Sequence, residues 1–248
     1  LQRSHGWLLV ANILTAFAGW ALGRLIGGPE VGLAGFFAGL SPTATAAAVV
    51  MSFLGGEIGY VITAFMITNL GIAVLTPLLL PLVLPAGTAV STAGVVGSVT
   101  LVVFVPLVLA RLVRGLVPTA AGWPPRLRNP IFLLWAFVIF LVAAHASHFL
   151  RSLPALPLGP LAGILGTSAA VCAANFALGS AIGAPRFRRE ASQALGQKNT
   201  AFTIYLALAY ASPLAALGPT FYVVWHNLWN SWQLRRRGIP PAGPGESR

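Results

Sequence analysis

The sequence predicts an all-α, polytopic membrane protein, on its composition, its long apolar segments and the placement of its arginines. Of the 248 residues, 57% are hydrophobic and only 8% are charged, and the mean hydropathy is +0.83. A soluble domain carries about 25% charged residues. So few charges cannot build a water-facing surface around a core of this size, and a lipid-facing surface is expected instead.

Eight apolar segments are long enough to cross a bilayer, which takes about 20 helical residues. The first four lie at about residues 7–27, 31–54, 58–84 and 93–114. The other four lie at about residues 130–150, 158–182, 191–211 and 214–234. The tail at 238–248 is polar and rich in proline and glycine, a composition that predicts disorder.

The arginines orient these spans. If the N-terminus is inside, twelve arginines lie at inward ends, and only Arg24 and Arg151 lie at outward ends. The inward arginines are Arg3, Arg111, Arg114, Arg126, Arg128, Arg186, Arg188, Arg189, Arg235, Arg236, Arg237 and Arg248. Cytoplasmic loops carry an excess of Lys and Arg, so we expect both termini on the cytoplasmic side of the cell (inner) membrane. Since the arginines form no continuous basic face, nucleic acid is not an expected partner.

Glycines recur at every fourth position in three spans. They are Gly19, Gly23 and Gly27, then Gly35 and Gly39, and finally Gly179 and Gly183. Small residues at this spacing let two helix backbones approach closely within a membrane. We therefore interpret these faces as packing surfaces rather than ligand sites.

Two spans contain polar interruptions. In the second span, an apolar run ends at a Ser-Pro-Thr-Ala-Thr stretch at 41–45, and Pro42 cannot donate a helix hydrogen bond. In the seventh, five residues without apolar side chains at 196–200 break an apolar stretch. Broken helices at corresponding positions of two halves are typical of inverted-repeat transporters with a site near the bilayer midplane. The pattern predicts two broken helices.

The interrupted segments resemble the bacterial branch of the bile acid:sodium symporter family. The stretch ALGQKNT at 194–200 resembles its Glu-x-Gly-x-Gln-Asn-Ser segment, and VWHN at 224–227 resembles its Val-Trp-His-Asn signature. SPTATA at 41–46 is similar to its Cys-Pro-Gly-Gly-Thr-Ala crossing motif, and VMSFL at 50–54 to the run that follows. The resemblance covers essentially the whole chain, from the third helix of the family to its tenth.

This resemblance implies ten helices in two inverted five-helix repeats, of which about eight spans are present here. It places residues 1–84 and 155–234 in a core domain, with crossed helices at about 31–54 and 191–211, and residues 93–150 in a panel domain. The first two panel helices would be absent, so we expect about 60–80 further residues upstream, the length of two spans and their connections. Lipid or another protomer, in a homo-oligomer, would have to cover the core there.

The departures from the family concern sodium. The Glu and Gln that hold sodium in the family fall on Ala194 and Lys198, and a Ser-Asn pair falls on Ala47 and Ala48, or one residue later. Alanine side chains and an ammonium supply no oxygen ligand. We therefore expect the sodium sites to be lost while the fold is kept.

Lys198 is the only lysine, and it lies about eight residues into its span. A cation within a span is costly and usually marks a functional or paired site, and this position is deep for snorkelling. Its ammonium would stand where sodium sits, where it could hold the crossing together, attract an anionic substrate or carry a proton. We expect a fixed charge stabilised by freed carbonyls rather than pH-dependent transport. The expected oxygen partners are Thr43, Thr45, Asn199 and Thr200, with Thr68 or Asn69, and Gln197 completes the predicted substrate- or ion-binding set.

The predicted function is secondary-active, sodium-independent transport of a small organic anion across the lipid bilayer. A membrane enzyme is disfavoured because the acids, bases and nucleophiles lie mostly apart. Cys172 is the only cysteine, and the pair His145 and His148 has no nearby carboxylate. No catalytic residue, metal site or cofactor is therefore predicted. The alternative is a transport-dead scaffold or partner protein of the same fold.

Overall fold

The structure is a computed structural model that describes residues 1–85, 92–127 and 157–237, and part of the stretch 130–152. These residues are predominantly helical, and the one β-bridge among them joins Thr43 to Lys198. About half of the fifth predicted span lies outside the described residues. So do His145, most of the loop at 85–91 and the tail at 238–248.

The helices on the N-terminal side are α1 (Arg3–Gly27), α2 (Pro29–Leu40), α3 (Ala46–Phe53) and α4 (Ile58–Leu79), which continues as a 3-10 turn at Leu80–Leu82. A second helical run consists of α5 (Thr92–Val99), a π-helical turn (Thr100–Phe104) and α6 (Val105–Leu116). A 3-10 turn (Pro118–Gly122) and the short α7 (Trp123–Arg126) follow.

The C-terminal helices are α8 (Leu158–Ile182), α9 (Arg188–Gly196), α10 (Thr200–Tyr210) and α11 (Pro213–Arg237). The bounds of α8 coincide with those predicted for the sixth span. The second and seventh predicted spans are each two helices, because the polar stretches within them do not continue the helix. The two predicted interruptions are therefore confirmed.

Three of the described helices are long and apolar enough to cross a membrane, at Arg3–Gly27, Ile58–Leu82 and Leu158–Ile182. Helix α4 also exposes large apolar side chains at every fourth position, on one side of the helix. They are Ile62, Met66, Leu70, Val74 and Leu78. Such a stripe suits contact with lipid. The predicted all-α membrane class is thus confirmed, while the count of about eight spans and the inverted repeat stay predictions.

The chain divides into two compact units, of which the first contains Leu1–Leu75 and Leu158–Arg248. Within it, α2 lies at the centre and contacts α1, α8 and α11. Every residue of α2 from Val31 to Leu40 is buried. The second unit, Thr76–Pro157, contains the helical run from α5 to α7. The assignment of core and panel domains to these parts of the chain stays a prediction.

Close glycine contacts hold the first unit together. A Cβ on Gly35 would lie 2.2 Å from the carbonyl oxygen of Gly19, and one on Gly19 would lie 2.6 Å from the carbonyl oxygen of Gly35. Likewise, a Cβ on Gly179 of α8 would lie 2.4 Å from the carbonyl oxygen of Ala191 on α9. No side chain fits at these distances, which confirms that the glycine repeats are packing faces.

We expect Gly35→Val to destabilise the protein by at least ~1–3 kcal/mol, because backbone on α1 must move to admit the side chain. The measurement is the midpoint of thermal unfolding of the purified protein in detergent. Gly166→Val on α8 is the matched control, since a Cβ there meets no atom within 4 Å. Equal destabilisation by both substitutions would contradict the packing role of Gly35.

Candidate functional site at the helix crossing

The two helix interruptions meet and satisfy each other. The backbone N–H of Ala44 donates to the carbonyl of Gln197 at 2.8 Å, and the N–H of Asn199 donates to the carbonyl of Pro42 at 2.7 Å. These bonds flank the antiparallel bridge between Thr43 and Lys198. Backbone groups freed by a break need partners when water is excluded. Each break therefore supplies hydrogen-bond partners to backbone groups of the other, and these bonds hold the two broken helices together.

Thr43 connects the first interruption to two other helices. Its hydroxyl donates to the carbonyl of Ala194 in α9 at 2.5 Å. From α4, Thr68 donates its hydroxyl to the Thr43 oxygen at 2.9 Å, and the Asn69 amide donates to the Thr43 carbonyl at 2.9 Å. The Thr43 N–H donates back to Thr68 Oγ1 at 3.2 Å. Of the predicted site residues, these three form one hydrogen-bonded group.

Lys198 lies in the protein interior, with 2% of its surface exposed. Its Nζ donates to Asn12 Oδ1 of α1 and to the carbonyl of Gly39 at 3.2 Å. Asn12 in turn donates its amide N–H to the carbonyl of Leu40 at 3.0 Å. Both carbonyls belong to the last turn of α2, where helix carbonyls lack intrahelical partners and the helix dipole is negative. The Lys198 amine therefore lies at a half-helix end, and the expectation that its charge offsets the dipole there stays a prediction.

The expected side-chain partners of Lys198 were wrong. Nζ donates to Asn12 and Gly39, not to Thr43, Thr45, Asn199, Thr200, Thr68 or Asn69. The physical reason is that the Thr43 and Thr68 hydroxyls are engaged with each other and with helix carbonyls. The long lysine side chain reaches α1 instead.

Sequence reasoning missed Asn12, although a signal was present. Burying an amide side chain in the middle of an apolar span costs free energy unless another polar group forms a hydrogen bond with it. Asn12 is an amide in the middle of the first span. It is also 1% exposed, so its two hydrogen bonds are made away from water. A search for polar side chains within spans, rather than near the interruptions alone, would have found it.

The predicted site residues differ in burial. Lys198, Gln197, Thr43, Thr68 and Thr200 are buried. Thr45 is exposed, and Asn69 and Asn199 are half-buried. The last three side chains are therefore accessible in this arrangement, whereas the Lys198 amine is shielded.

A half-helix follows each interruption. Thr45 precedes α3 and Asn199 precedes α10, and among the described residues neither side chain makes a capping hydrogen bond. The first N–H groups of a helix have no intrahelical partner, and the dipole there is positive. Each of these helix starts can therefore offer N–H donors to a negatively charged group.

Apart from Lys198, the positions where the resemblance places sodium ligands are apolar. Ala47 and Ala194 are buried members of one hydrophobic cluster, together with Met51 and Leu195. Ala48 packs against the same cluster. Side chains here supply no oxygen atom that could coordinate a cation.

A second buried group, which sequence reasoning also missed, closes the end of α9. The Tyr222 hydroxyl from α11 donates to the carbonyl of Gly196 at 2.8 Å, and the Asn175 amide from α8 donates to the Tyr222 oxygen at 3.2 Å. Both side chains are fully buried. The Gly196 carbonyl at the end of α9 thus accepts a hydrogen bond from a tyrosine. In the same way, the Gly39 and Leu40 carbonyls at the end of α2 accept hydrogen bonds from Lys198 and Asn12.

The chain matches a known family of transporters. The model of the SBF-like CPA transporter family covers residues 4–228. That range contains both interruptions, the ammonium at the crossing and the buried group around Tyr222. Comparison with curated proteins gives no match.

Proposed function

Because the chain belongs to the SBF-like CPA transporter family, we propose that it is a secondary-active transporter of an organic anion that works without sodium. Membership, over residues 4–228, makes it an integral membrane protein of a transporter family rather than an enzyme. It also confirms the predicted resemblance at the level of the family. The bacterial branch and the two absent helices stay predictions.

The observation that carries the proposal is the buried lysine at the crossing. Lys198 lies between the last turn of α2 and α1, with Asn12 and the Gly39 carbonyl as acceptors. An ammonium held in this way would supply the positive charge that a bound sodium ion supplies transiently. Of the roles that a lysine here can have, holding the crossing together fits its burial best.

Loss of sodium coupling is supported by what surrounds the crossing. Hard cations bind through several oxygen ligands. The positions of Ala47, Ala48 and Ala194 contribute methyl groups to a hydrophobic cluster. Lys198 adds a positive charge that would repel a second cation.

An anionic substrate is supported by the helix starts at the crossing and by the accessible residues beside them. Thr45 is exposed, and Asn69 and Asn199 are half-buried. The positive ends of α3 and α10 each follow one of the interruptions, and half-helix N-termini hold the anionic groups of substrates in other transporters with broken helices. The residues that form the crossing include no carboxylate to oppose an anion.

The proposal is tested by uptake into proteoliposomes. A panel of organic carboxylates, sulfates and sulfonates, with organic cations as controls, is presented in sodium or choline medium, with and without a pH gradient. We expect saturable uptake of an anion that is equal in sodium and choline. Sodium-stimulated uptake would overturn the proposal. No uptake of any anion by well-folded protein would favour the transport-dead scaffold.

We expect Thr45→Asp to reduce anion uptake by about tenfold or more, because a like charge placed against a substrate costs several kcal/mol. Aspartate is a good N-cap residue, so the thermal stability should stay equal or rise. Thr45→Asn is the matched control, since it also caps a helix but adds no charge, and it should retain uptake. Equal uptake by Thr45→Asp and Thr45→Asn would show that the substrate does not approach the start of α3.

We place the protein in the cell (inner) membrane with both termini in the cytoplasm, on the bias of its arginines. Topology reporters fused after Leu116 and after Arg237 should then read cytoplasmic. A reporter inserted in the loop at 85–91 should read external. An external reading after Arg237 would reverse the orientation.

A further inference from the structure

A pocket lies where three helix ends of the first unit meet, away from the crossing. It has a volume of about 160 Å³ and is lined by Leu54, Arg189, Trp232, Gln233 and Arg236. Leu54 follows α3, Arg189 lies in the first turn of α9, and the other three lie in the last turns of α11. We propose that this pocket binds the phosphate group of an anionic phospholipid.

The charge of the pocket suits a phosphate. Its lining among the described residues contains two guanidinium groups and no carboxylate. The guanidinium of Arg236 lies over the Trp232 ring, 4.2 Å from its centroid. This cation–π contact holds the guanidinium at the pocket. Planar forks of N–H donors match phosphate oxygens in pairs.

Gln233 adds a neutral donor. Its side-chain oxygen accepts a hydrogen bond from the Gln193 amide at 2.6 Å. Since an amide side chain has one oxygen and one NH₂ group, the group left for the pocket is the donor. All three polar side chains of the lining can therefore donate to an anion.

The surroundings favour a lipid over a soluble phosphate. Along α11, Val224, Leu228 and Trp232 are 51%, 57% and 44% exposed, and their four-residue spacing puts them on one side of the helix. That apolar strip leads from the pocket along the helix, where an acyl chain can lie. Trp232 also contacts Trp229, with ring centroids 5.0 Å apart. Tryptophan is enriched at the level of lipid headgroups.

The orientation proposed for the chain agrees with this ligand. The pocket arginines are among those that the charge bias puts on the cytoplasmic side, and the cytoplasmic leaflet is the one that carries negative surface charge. Basic pockets between helix ends on that side are suited to anionic headgroups. A phosphodiester with apolar chains satisfies both the donors and the apolar strip.

The test measures binding of phosphatidylglycerol to the purified protein in a neutral detergent, by native mass spectrometry across a lipid titration. We expect Arg189→Gln and Arg236→Gln each to raise the Kd about tenfold. Arg235→Gln is the matched control, because Arg235 is an exposed neighbour on α11 that does not line the pocket. It should change the Kd by less than about twofold. A thermal unfolding measurement checks that each variant is folded.

Two further arms identify the ligand. Phosphatidylcholine should bind at least about tenfold more weakly than phosphatidylglycerol, and inorganic phosphate in large excess should not displace the lipid. Equal binding of both lipids, or an equal loss in Arg235→Gln, would overturn the site. Displacement by inorganic phosphate would show that the pocket binds a soluble phosphate, and it would contradict the proposal of a lipid ligand. Since no transport is measured, the outcome is independent of the proposed function.

Discussion

Replacing Lys198 with methionine is expected to abolish anion uptake while the protein still inserts into the membrane. Methionine has a side chain of similar length that packs well in an apolar interior, so the volume between α1 and α2 stays filled. What is lost is the charge at the last turn of α2 and the two hydrogen bonds to Asn12 and Gly39. The measurement is the initial rate of uptake into proteoliposomes, normalised to the amount of reconstituted protein.

The matched control for the lost charge is Arg151→Met. Arg151 is exposed, and its recorded side-chain hydrogen bonds go to the nearby Ser147. Its replacement removes one positive charge from the protein without touching the crossing, and uptake should persist. Full activity in the Lys198→Met protein would show that the ammonium has no part in transport.

Asn12→Leu is expected to have the largest effect on stability among substitutions of crossing side chains. Leucine leaves the buried ammonium without its side-chain acceptor and the Leu40 carbonyl without its donor. Removing one partner of a buried charge typically costs about 3–5 kcal/mol. The midpoint of thermal unfolding measures it. Asn12→Asp should be less harmful, because its carboxylate still accepts from Lys198.

The double variant Asn12→Leu, Lys198→Met separates the contribution of the buried charge to stability from the contribution of side-chain packing. Without the ammonium, the missing acceptor no longer leaves a buried charge unpaired, so the two losses should not add. Contacting residues in one network show interaction energies of about 0.5–3 kcal/mol. Additive losses would indicate that Asn12 and Lys198 do not depend on each other.

The sequence predicts features that are encoded locally. The proline and hydroxyl residues at 41–45 and the polar residues at 196–200 disfavour a continuous helix locally, and both breaks are found. The glycine repeats of α1 and α2 predict close approach, and the contact between Gly19 and Gly35 has that form. The length of α8 follows from its apolar run, with Pro157 before the helix and Gly183 after it.

The partners of Lys198 could not be predicted in the same way. Which oxygen a long side chain reaches depends on how α1 packs beside the end of α2, and these helices are far from Lys198 in the chain. Nor could the sequence show which residues of the crossing are buried, as Lys198 is, and which are accessible, as Thr45 and Asn199 are. That difference is a property of the tertiary structure, and it separates the Lys198 amine from the proposed substrate contacts.

The most direct test of the central claim, that the Lys198 ammonium takes the place of a sodium ion, is a measurement of sodium binding that needs no substrate. Thermal unfolding of the purified protein is followed in sodium chloride and in choline chloride at equal ionic strength. A ligand that binds only the folded state stabilises it by about 2.7 kcal/mol at a hundred times its Kd. We predict the same unfolding midpoint in both salts at every concentration. A saturable rise of the midpoint in sodium alone would contradict the account.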